Sequence, residues 1–274
     1  MIIYIPTFRR IATQLTWDML PPNWKRRTCL VVHPEEEEEH RSRGRRVIVC
    51  DGPRGIAPVR EWIIRRAHSK GTRTIMVLDD DISGLYYLYR NADRQIDPTL
   101  PRRRWFTPQD WSDFARWIGT TRDRVVHGGI SDFSNVPPAP NLADPDEVFP
   151  GRQLRVHIFA VDRLPIDAID WTGVEFAEDM HVTLQLMALG LPNIIHRRYR
   201  TATLGTGASG GCAAENRTVE THNQAMRRLI ELHSPWVREN PAKARKNEPD
   251  WIKVVVRWKH YWTWLKRHYG YTDP

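Results

Sequence analysis

Thr74-Ile75-Met76-Val77-Leu78-Asp79-Asp80-Asp81-Ile82 is a run of five residues suited to a buried strand that leads directly into three carboxylates. Ser83 and Gly84 follow and are expected to stop the strand. The acids then stand at a strand's C-terminal end. In an open α/β sheet that edge is where ligands bind, so the triplet is placed to meet a metal or a nucleotide. Adjacent like charges repel and need compensation by water or a cation, and oxygen ligands suit a hard ion such as Mg²⁺ or Mn²⁺. A solvated acidic turn would also accommodate the triplet. The buried-type strand immediately before it favours a functional site.

Upstream, Ile2 to Ile5 predicts a first strand, ended by Pro6 and Thr7 and followed by Phe8, Arg9 and Arg10. Two arginines at the same sheet edge can position a diphosphate or a base, although a pair of surface arginines is the plainer reading. Thr28 to His33 predicts a second strand and Arg46 to Asp51 a third, which brings Asp51 to that edge. Between them, Glu35 to Glu39 and the following arginines read as a solvated, charge-paired loop or short helix without chemistry. Gly55 to Ala67 predicts a helix with Val59, Trp62, Ile63 and Ala67 on one face. Arg60 points away from that face and is expected to be free to approach an anion. Strands joined by short crossovers form the nucleotide-binding half of an α/β fold.

Downstream, Tyr86, Tyr87 and Tyr89 precede the basic run Arg102, Arg103 and Arg104. Thr107, Pro108 and Asp110 form a capping box for a core helix carrying Trp111, Phe114, Ala115 and Ile118. Strands are predicted over Val125 to Ile130 and Leu154 to Val161, the second with Arg155 and His157 on the face opposite Val156 and Ile158. A second acidic locus, Glu175, Glu178 and Asp179, opens a helix that ends at Gly190. The helix dipole accounts for one acid there and leaves another to act as a general base. Asn193 to His196 reads as a strand ending in a histidine, either a metal ligand or an edge residue. Gly205 to Gly211 is a glycine-rich loop whose amides can cradle a diphosphate, or a plain linker. Thr218 to His233 predicts a helix. Trp251 to Lys259 fits a strand through its valines, although a helix through Tyr269 matches the apolar spacing too.

The 274 residues can bury a full core, and the expected division is a core over 1–204 and a basic, Trp-rich extension over 205–274. Cys29, Cys50 and Cys212 are far apart and suggest neither disulfides nor a zinc site. No apolar run approaches the roughly 20 residues of a membrane span, so a cytoplasmic protein without membrane partners is expected. The net charge of +8 and the 12 tryptophans suit either a nucleic-acid surface or a basic protein with a tryptophan-rich core.

These motifs together resemble a GT-A glycosyltransferase, an α/β fold with a Rossmann-like mixed sheet flanked by helices. More narrowly they resemble the TET-associated glycosyltransferases of phages, through Ile5 to Arg9, Val77 to Asp81, Glu178-Asp179, Gly210-Gly211-Cys212 with Arg217-Thr218, and Arg257-Trp258-Lys259. The resemblance implies a metal-dependent, inverting transfer from a nucleotide-sugar, a UDP-sugar in the first instance, onto 5-hydroxymethylcytosine or a related hydroxymethylpyrimidine of phage DNA, in the host cytoplasm. It implies that Asp79 contacts the donor nucleoside and that Asp81 holds Mn²⁺ or Mg²⁺, with Asp79 or His196 as further ligands and Asp80 in support. Pro6, Thr7, Arg9, Asp51, Arg60, Gly210 and Gly211 would surround the nucleotide. Asp179 would be the base, with Glu178 second. Arg102, Arg103, Arg104, Trp105, Lys253, Arg257 and Lys259 would hold DNA, with Trp105 or Tyr86 stacking on a displaced base. The rival readings are a GT-A enzyme acting on a glycan, lipid or protein, a metal-dependent nuclease, and a non-catalytic DNA-binding protein.

Overall fold

The computed structural model describes residues 1–52, 54–132, 146–149, 154–203, 211, 217–240 and 250–274. Its first part is the expected set of parallel strands joined by short crossovers. β1 (Ile2–Pro6) is followed by α1 (Leu15–Met19), α2 (Pro22–Lys25) and β2 (Thr28–Val32). Next come α3 (Glu37–Ser42), β3 (Val47–Val49), α4 (Ile56–Ser69) and β4 (Thr74–Leu78). The four strands are parallel in the order β3-β2-β1-β4, so Pro6 and the acids after Leu78 reach the same edge.

The chain then builds the other half of the sheet. β5 (Ile82–Leu88), α5 (Asn91–Ile96), β6 (Arg103–Trp105) and α6 (Pro108–Arg124) precede β7 (His127–Asp132), β8 (Glu147–Val148) and β9 (Val156–Ala160). α7 (Glu178–Ala188) leads to β10 (Ile194–Thr203). From β4 the order continues β9-β7-β10-β5-β6, with β8 also on β10. β9 runs antiparallel to β4 and β7, whereas β10 is parallel to β7 and antiparallel to β5, so the sheet is mixed.

One expectation fails here. Ser83 and Gly84 do not stop the strand signal but lie inside β5, because Leu85 and Tyr87 still have a core to face. Their polarity is accommodated by a bulge: Thr203 pairs with Ile82 and Ala202 with Gly84, which leaves Ser83 as the extra residue.

Period-two alternation sorts the strand side chains into two layers. Ile3, Ile5, Met76 and Leu78 pack with Trp24 of α2 and Phe114, Trp117 and Ile118 of α6. Tyr4, Ile75 and Val77 point the other way, against Val59, Ile63 and Ile64 of α4 and Val182 and Leu186 of α7. Each such fully buried aliphatic side chain contributes about 1.5–3 kcal/mol. The predicted cap of α6 forms as read: the Thr107 hydroxyl accepts the Asp110 amide, and the Asp110 carboxylate accepts the Thr107 amide.

The C-terminal extension packs α8 (Val219–His233), the hairpin strands β11 (Val237–Glu239) and β12 (Val254–Val256), and α9 (Trp258–Tyr269) around the outer side of α7. Leu184 and Met187 of α7 meet Met226 and Leu229 of α8 and Tyr261, Trp262 and Leu265 of α9. The predicted strand over Trp251 to Lys259 is thus confined to three valines. The helix prevails from Trp258 onward because Tyr261, Trp262 and Leu265 find partners only at helical spacing. Trp24, Trp117, Trp171 and Trp262 are core residues, so much of the tryptophan content serves packing. No described helix is long and apolar enough to cross a membrane.

Candidate active site

The acidic turn between β4 and β5 is pinned by Thr16, whose hydroxyl donates to the Asp79 carbonyl at 2.6 Å and accepts the Ile82 amide at 2.9 Å. Each aspartate then meets different company. Asp79 accepts from Arg60 of α4 through one oxygen and from Arg155, just before β9, through the other at 3.2 Å. Arg60 also donates to Glu178 at the start of α7. Arg60 is therefore not free: it is 7% exposed and joins β4, α4 and α7 through a buried ion-pair chain.

Asp80 accepts from the Thr7 hydroxyl at 3.0 Å and pairs with Arg10 at 3.2 Å, while Gln14 donates to Thr7 at 2.7 Å. Asp81 differs, since its buried Oδ1 has no hydrogen-bond partner among the described residues. Asp179, beside Glu178 at the head of α7, likewise keeps a buried Oδ2 without a partner. Together with Oε2 of Glu36, these are the buried carboxylate oxygens without a hydrogen-bond partner among the described residues, and those of Asp81 and Asp179 stand at an arginine-rich edge, an arrangement that suits ligand binding and proton transfer.

Burial pushes Asp80 up to about 7, against the pull of Arg10 and the Thr7 hydroxyl. Burial and then the neighbouring Asp79 raise Asp81. Asp179 is pushed up to about 7 by burial and next by the charge of Glu178, and Glu178 is itself raised by burial. Arg155 stands at the centre of these groups. Burial works against its charge, but Asp79, Asp179, Asp81 and Asp132 outweigh it and hold the guanidinium protonated.

The strand β1 delivers a strained turn to the same place. Arg9 has φ 54°, a left-handed conformation unusual for a side-chain-bearing residue, and its amide donates to Glu36 at 2.6 Å. Glu36 comes from the acidic run read above as solvated and without chemistry, yet it is 4% exposed. Phe8 accepts the Gly211 amide at 2.8 Å, and Gly211 has φ 66°. A Cβ there would stand 3.2 Å from Arg10 and 3.6 Å from Asp80, so glycine permits the loop's close approach to the acids. Gly210 lies outside the described residues.

Of the remaining expected site residues, Thr7, Pro6, Arg60, Asp79, Asp80, Asp81, Glu178, Asp179 and Gly211 converge. Arg9 is exposed, and Arg10 takes the place at the acids. Asp51 is exposed beyond β3, separated from β4 by two strands. Glu175 is exposed before α7. His196 is not brought to the acids. It sits near the start of β10, seven residues before Thr203 and so roughly 20 Å along the strand from the partner of Ile82. Its ring stacks on Tyr199 at 3.9 Å and meets the edge of Trp117, and its Nδ1 accepts the Arg198 amide.

Among the described residues no group of three or more His, Cys, Asp or Glu side chains could hold a metal. The donor set fits a divalent ion only in the mode where one carboxylate, here Asp81 through its unpartnered oxygen, is completed by substrate phosphates and water. The basic residues also divide. Arg102 and Arg103 are exposed at the sheet edge with Trp105, whereas Arg104 is paired with Asp110 and donates to Tyr89. Arg257 and Lys259 are exposed at the head of α9, and Lys253 lies over Trp251.

Comparison with known proteins identifies the family of the chain. A family model described as TET-Associated Glycosyltransferase matches residues 1–211, a span that holds every member of the acidic edge. The Beta-glucosyl-HMC-alpha-glucosyl-transferase of Enterobacteria phage T6 is 22% identical over 246 residues, covering 88% of this chain and 81% of that protein. The phage T2 protein of the same name is 21% identical over the same shares. Among solved structures, a putative nucleotide-diphospho-sugar transferase from Desulfovibrio desulfuricans G20 superposes with TM-score 0.42 at 10% identity, over 70% of this chain and 78% of that one. S. aureus TarS gives TM-score 0.42 at 12% identity, over 83% and 64% respectively. The chain is a glycosyltransferase and belongs to the TET-associated glycosyltransferase family.

Proposed function

We propose that the chain transfers a sugar from a nucleotide-sugar, a UDP-sugar in the first instance, onto 5-hydroxymethylcytosine in DNA. The observation that carries this reading is a pair of buried carboxylate oxygens, on Asp81 and Asp179, without a partner among the described residues at one arginine-rich sheet edge. Thr7, Arg10 and Gly211 form the donor side. Asp81 would hold a divalent ion there, which when bound supplies positive charge against the departing diphosphate. Arg10 and Arg155 add fixed positive charge at the same edge. Asp79 has an arginine on each oxygen, so its part is to keep Arg60 and Arg155 in place and charged rather than to bind donor.

Asp179 is the base in this scheme. An acid held near pKa 7 is about half ionised at neutral pH and matched to taking a proton from a hydroxymethyl group. Glu178 is committed to Arg60 and serves as its anchor. Attack assisted by Asp179 in line with the leaving group inverts the sugar's anomeric carbon. The names of the T6 and T2 relatives specify an alpha-glucosyl transfer to a base that already bears a beta-glucosyl group, which makes both acceptor and stereochemistry direct readouts.

The test is mass spectrometry of nucleosides from hydroxymethylcytosine DNA, bare or already glucosylated, after incubation with Mn²⁺ and a panel of nucleotide-sugars. NMR of the product gives the anomeric configuration. A hexose-sized gain that disappears in Asp81→Ala and Asp179→Asn is expected. Donor hydrolysis without gain on either DNA would remove DNA as the acceptor, and retained anomeric configuration would remove Asp179 as an in-line base.

A further inference from the structure

Trp105 ends the edge strand β6 with 54% of its surface exposed, an unusual position for so large an apolar side chain. Its back is fully built. The indole stacks on Tyr86 with ring centroids 3.9 Å apart, and Arg103 lies over the Tyr86 ring at 4.8 Å. Beneath it is Gly84, where a Cβ would fall 1.9 Å from the indole Cζ3. Any other residue at 84 would lift the ring off the strand. The result is a flat aromatic surface backed by Tyr86 and Gly84, with more than half of the Trp105 side chain exposed.

Register places this surface on the side of the sheet that carries α7. Trp105 pairs with Tyr86, Tyr86 with Arg200, and Arg200 with Ser131. Directly paired residues share a face. Gly129, two residues before Ser131, pairs with His157, and His157 with Val77, which packs in the layer of α4 and α7. Asp179, at the head of α7, belongs to that same side. Gly84 is three residues beyond Asp81, about 10 Å of extended chain. That spacing accommodates a base on the indole and a sugar between the base and the acids.

We propose that the exposed face of Trp105 seats an unstacked pyrimidine of the DNA acceptor, with Arg102 and Arg103 at its rim meeting the flanking phosphates. The inference rests on the DNA-transferase reading and names where that acceptor lies. A base offers a π-face to stack, and exposed arginines next to an aromatic platform suit a strand whose backbone is anionic. A glycan or lipid acceptor, even a phosphorylated one, does not offer an aromatic base beside the charge.

Binding without any donor separates this inference from the catalytic one. Fluorescence anisotropy compares a short labelled single strand containing hydroxymethylcytosine with the same strand abasic at that position. The intact chain should prefer the base-bearing strand about tenfold, the usual worth of one aromatic stack. Trp105→Ala should erase the preference, Trp105→Phe should restore most of it, and Gly84→Ala should reduce it while every aromatic remains. In turnover, the loss should fall on KM for DNA rather than on kcat. Equal binding of the two strands by the unaltered chain, or a preference that survives Trp105→Ala, would overturn the platform even if sugar transfer to DNA were found. A Trp105→Phe variant as impaired as the alanine variant, with a lowered Tm, would assign Trp105 to packing and overturn it too. A preserved base preference with no transfer to any DNA would instead sink the transferase reading while leaving the platform in place.

Discussion

Asp79 and Asp81 are two residues apart and serve opposite ends, because Asp79 accepts from an arginine on each oxygen and the buried Oδ1 of Asp81 has no hydrogen-bond partner among the described residues. The same division separates Glu178, tied to Arg60, from Asp179, whose Oδ2 is open. Asp179 is predicted to set the pH profile. Its carboxyl is held near 7 by burial and by Glu178, so activity should rise through about pH 7, and Asp179→Asn should lower kcat by at least about a hundredfold. Stability moves the other way. A carboxylate whose folded pKa is raised stabilises the fold fully below its unfolded pKa, near 3.9, and loses that contribution as pH climbs through about 7. Asp179→Asn should therefore melt higher than the unaltered chain at pH 8, by about 2–6 °C for on the order of 1–2 kcal/mol, and by less at pH 5. Equal melting shifts at the two pH values would mean that Asp179 is not strained. The aspartate triplet was legible as a site because a strand and three acids are adjacent in sequence. Arg155 and Glu36 were not, because their roles depend on β9 lying against β4 and on α3 folding back to the Arg9 turn. No local pattern encodes such contacts.

At the scale of elements, α7 is the hinge between what the chain binds and what holds it together. Its first turn carries Glu178 and Asp179, one side packs on α4 and the sheet, and the other packs on α8 and α9. Ala177, at φ 67°, bends the chain into that first turn. The Arg60 ion pairs tie this end of α7 to α4 and β4. Arg60→Met is predicted to leave Glu178 and Asp79 without that partner in a buried setting and to cost about 3–5 kcal/mol in urea unfolding. The double variant Arg60→Met with Glu178→Gln should recover part of that loss, since fewer buried charges remain. No recovery would show that Arg60 stabilises by packing alone. β1, β2 and β4 were readable from continuous apolar runs, which central parallel strands produce. β5 was not, because Ser83-Gly84 reads locally as a stop and is rescued only by the bulge against β10. α9 was masked by its leading valines, which belong to a separate three-residue strand.

Across the whole molecule, five of the eight net positive charges fall in residues 205–274, with 12 Lys and Arg against 7 Asp and Glu, in an extension that is structural as well as basic. The sequence divides near residue 204, where composition changes, but the hydrophobic contacts do not divide there. Leu184 and Met187 of α7 are fully buried in one cluster with Met226, Leu229, Tyr261, Trp262 and Leu265 of the extension. Two models of the extension lead to different outcomes on removal. A separate nucleic-acid module would leave the acidic edge intact, so a chain ending at residue 216 would still hydrolyse donor and would lose only affinity for DNA. An extension that completes the packing of α7 predicts the reverse. That chain should lose donor hydrolysis along with transfer, bind dyes that report exposed apolar surface, and melt by at least about 10 °C lower, as expected when several buried side chains worth about 2 kcal/mol each are uncovered. Replacing the exposed cations alone, Arg257→Ala with Lys259→Ala, should leave melting within about 2 °C. We expect the second pattern. Intact donor hydrolysis in the truncated chain would show that Glu178 and Asp179 are held by the sheet and Arg60 without help from the outer side of their helix.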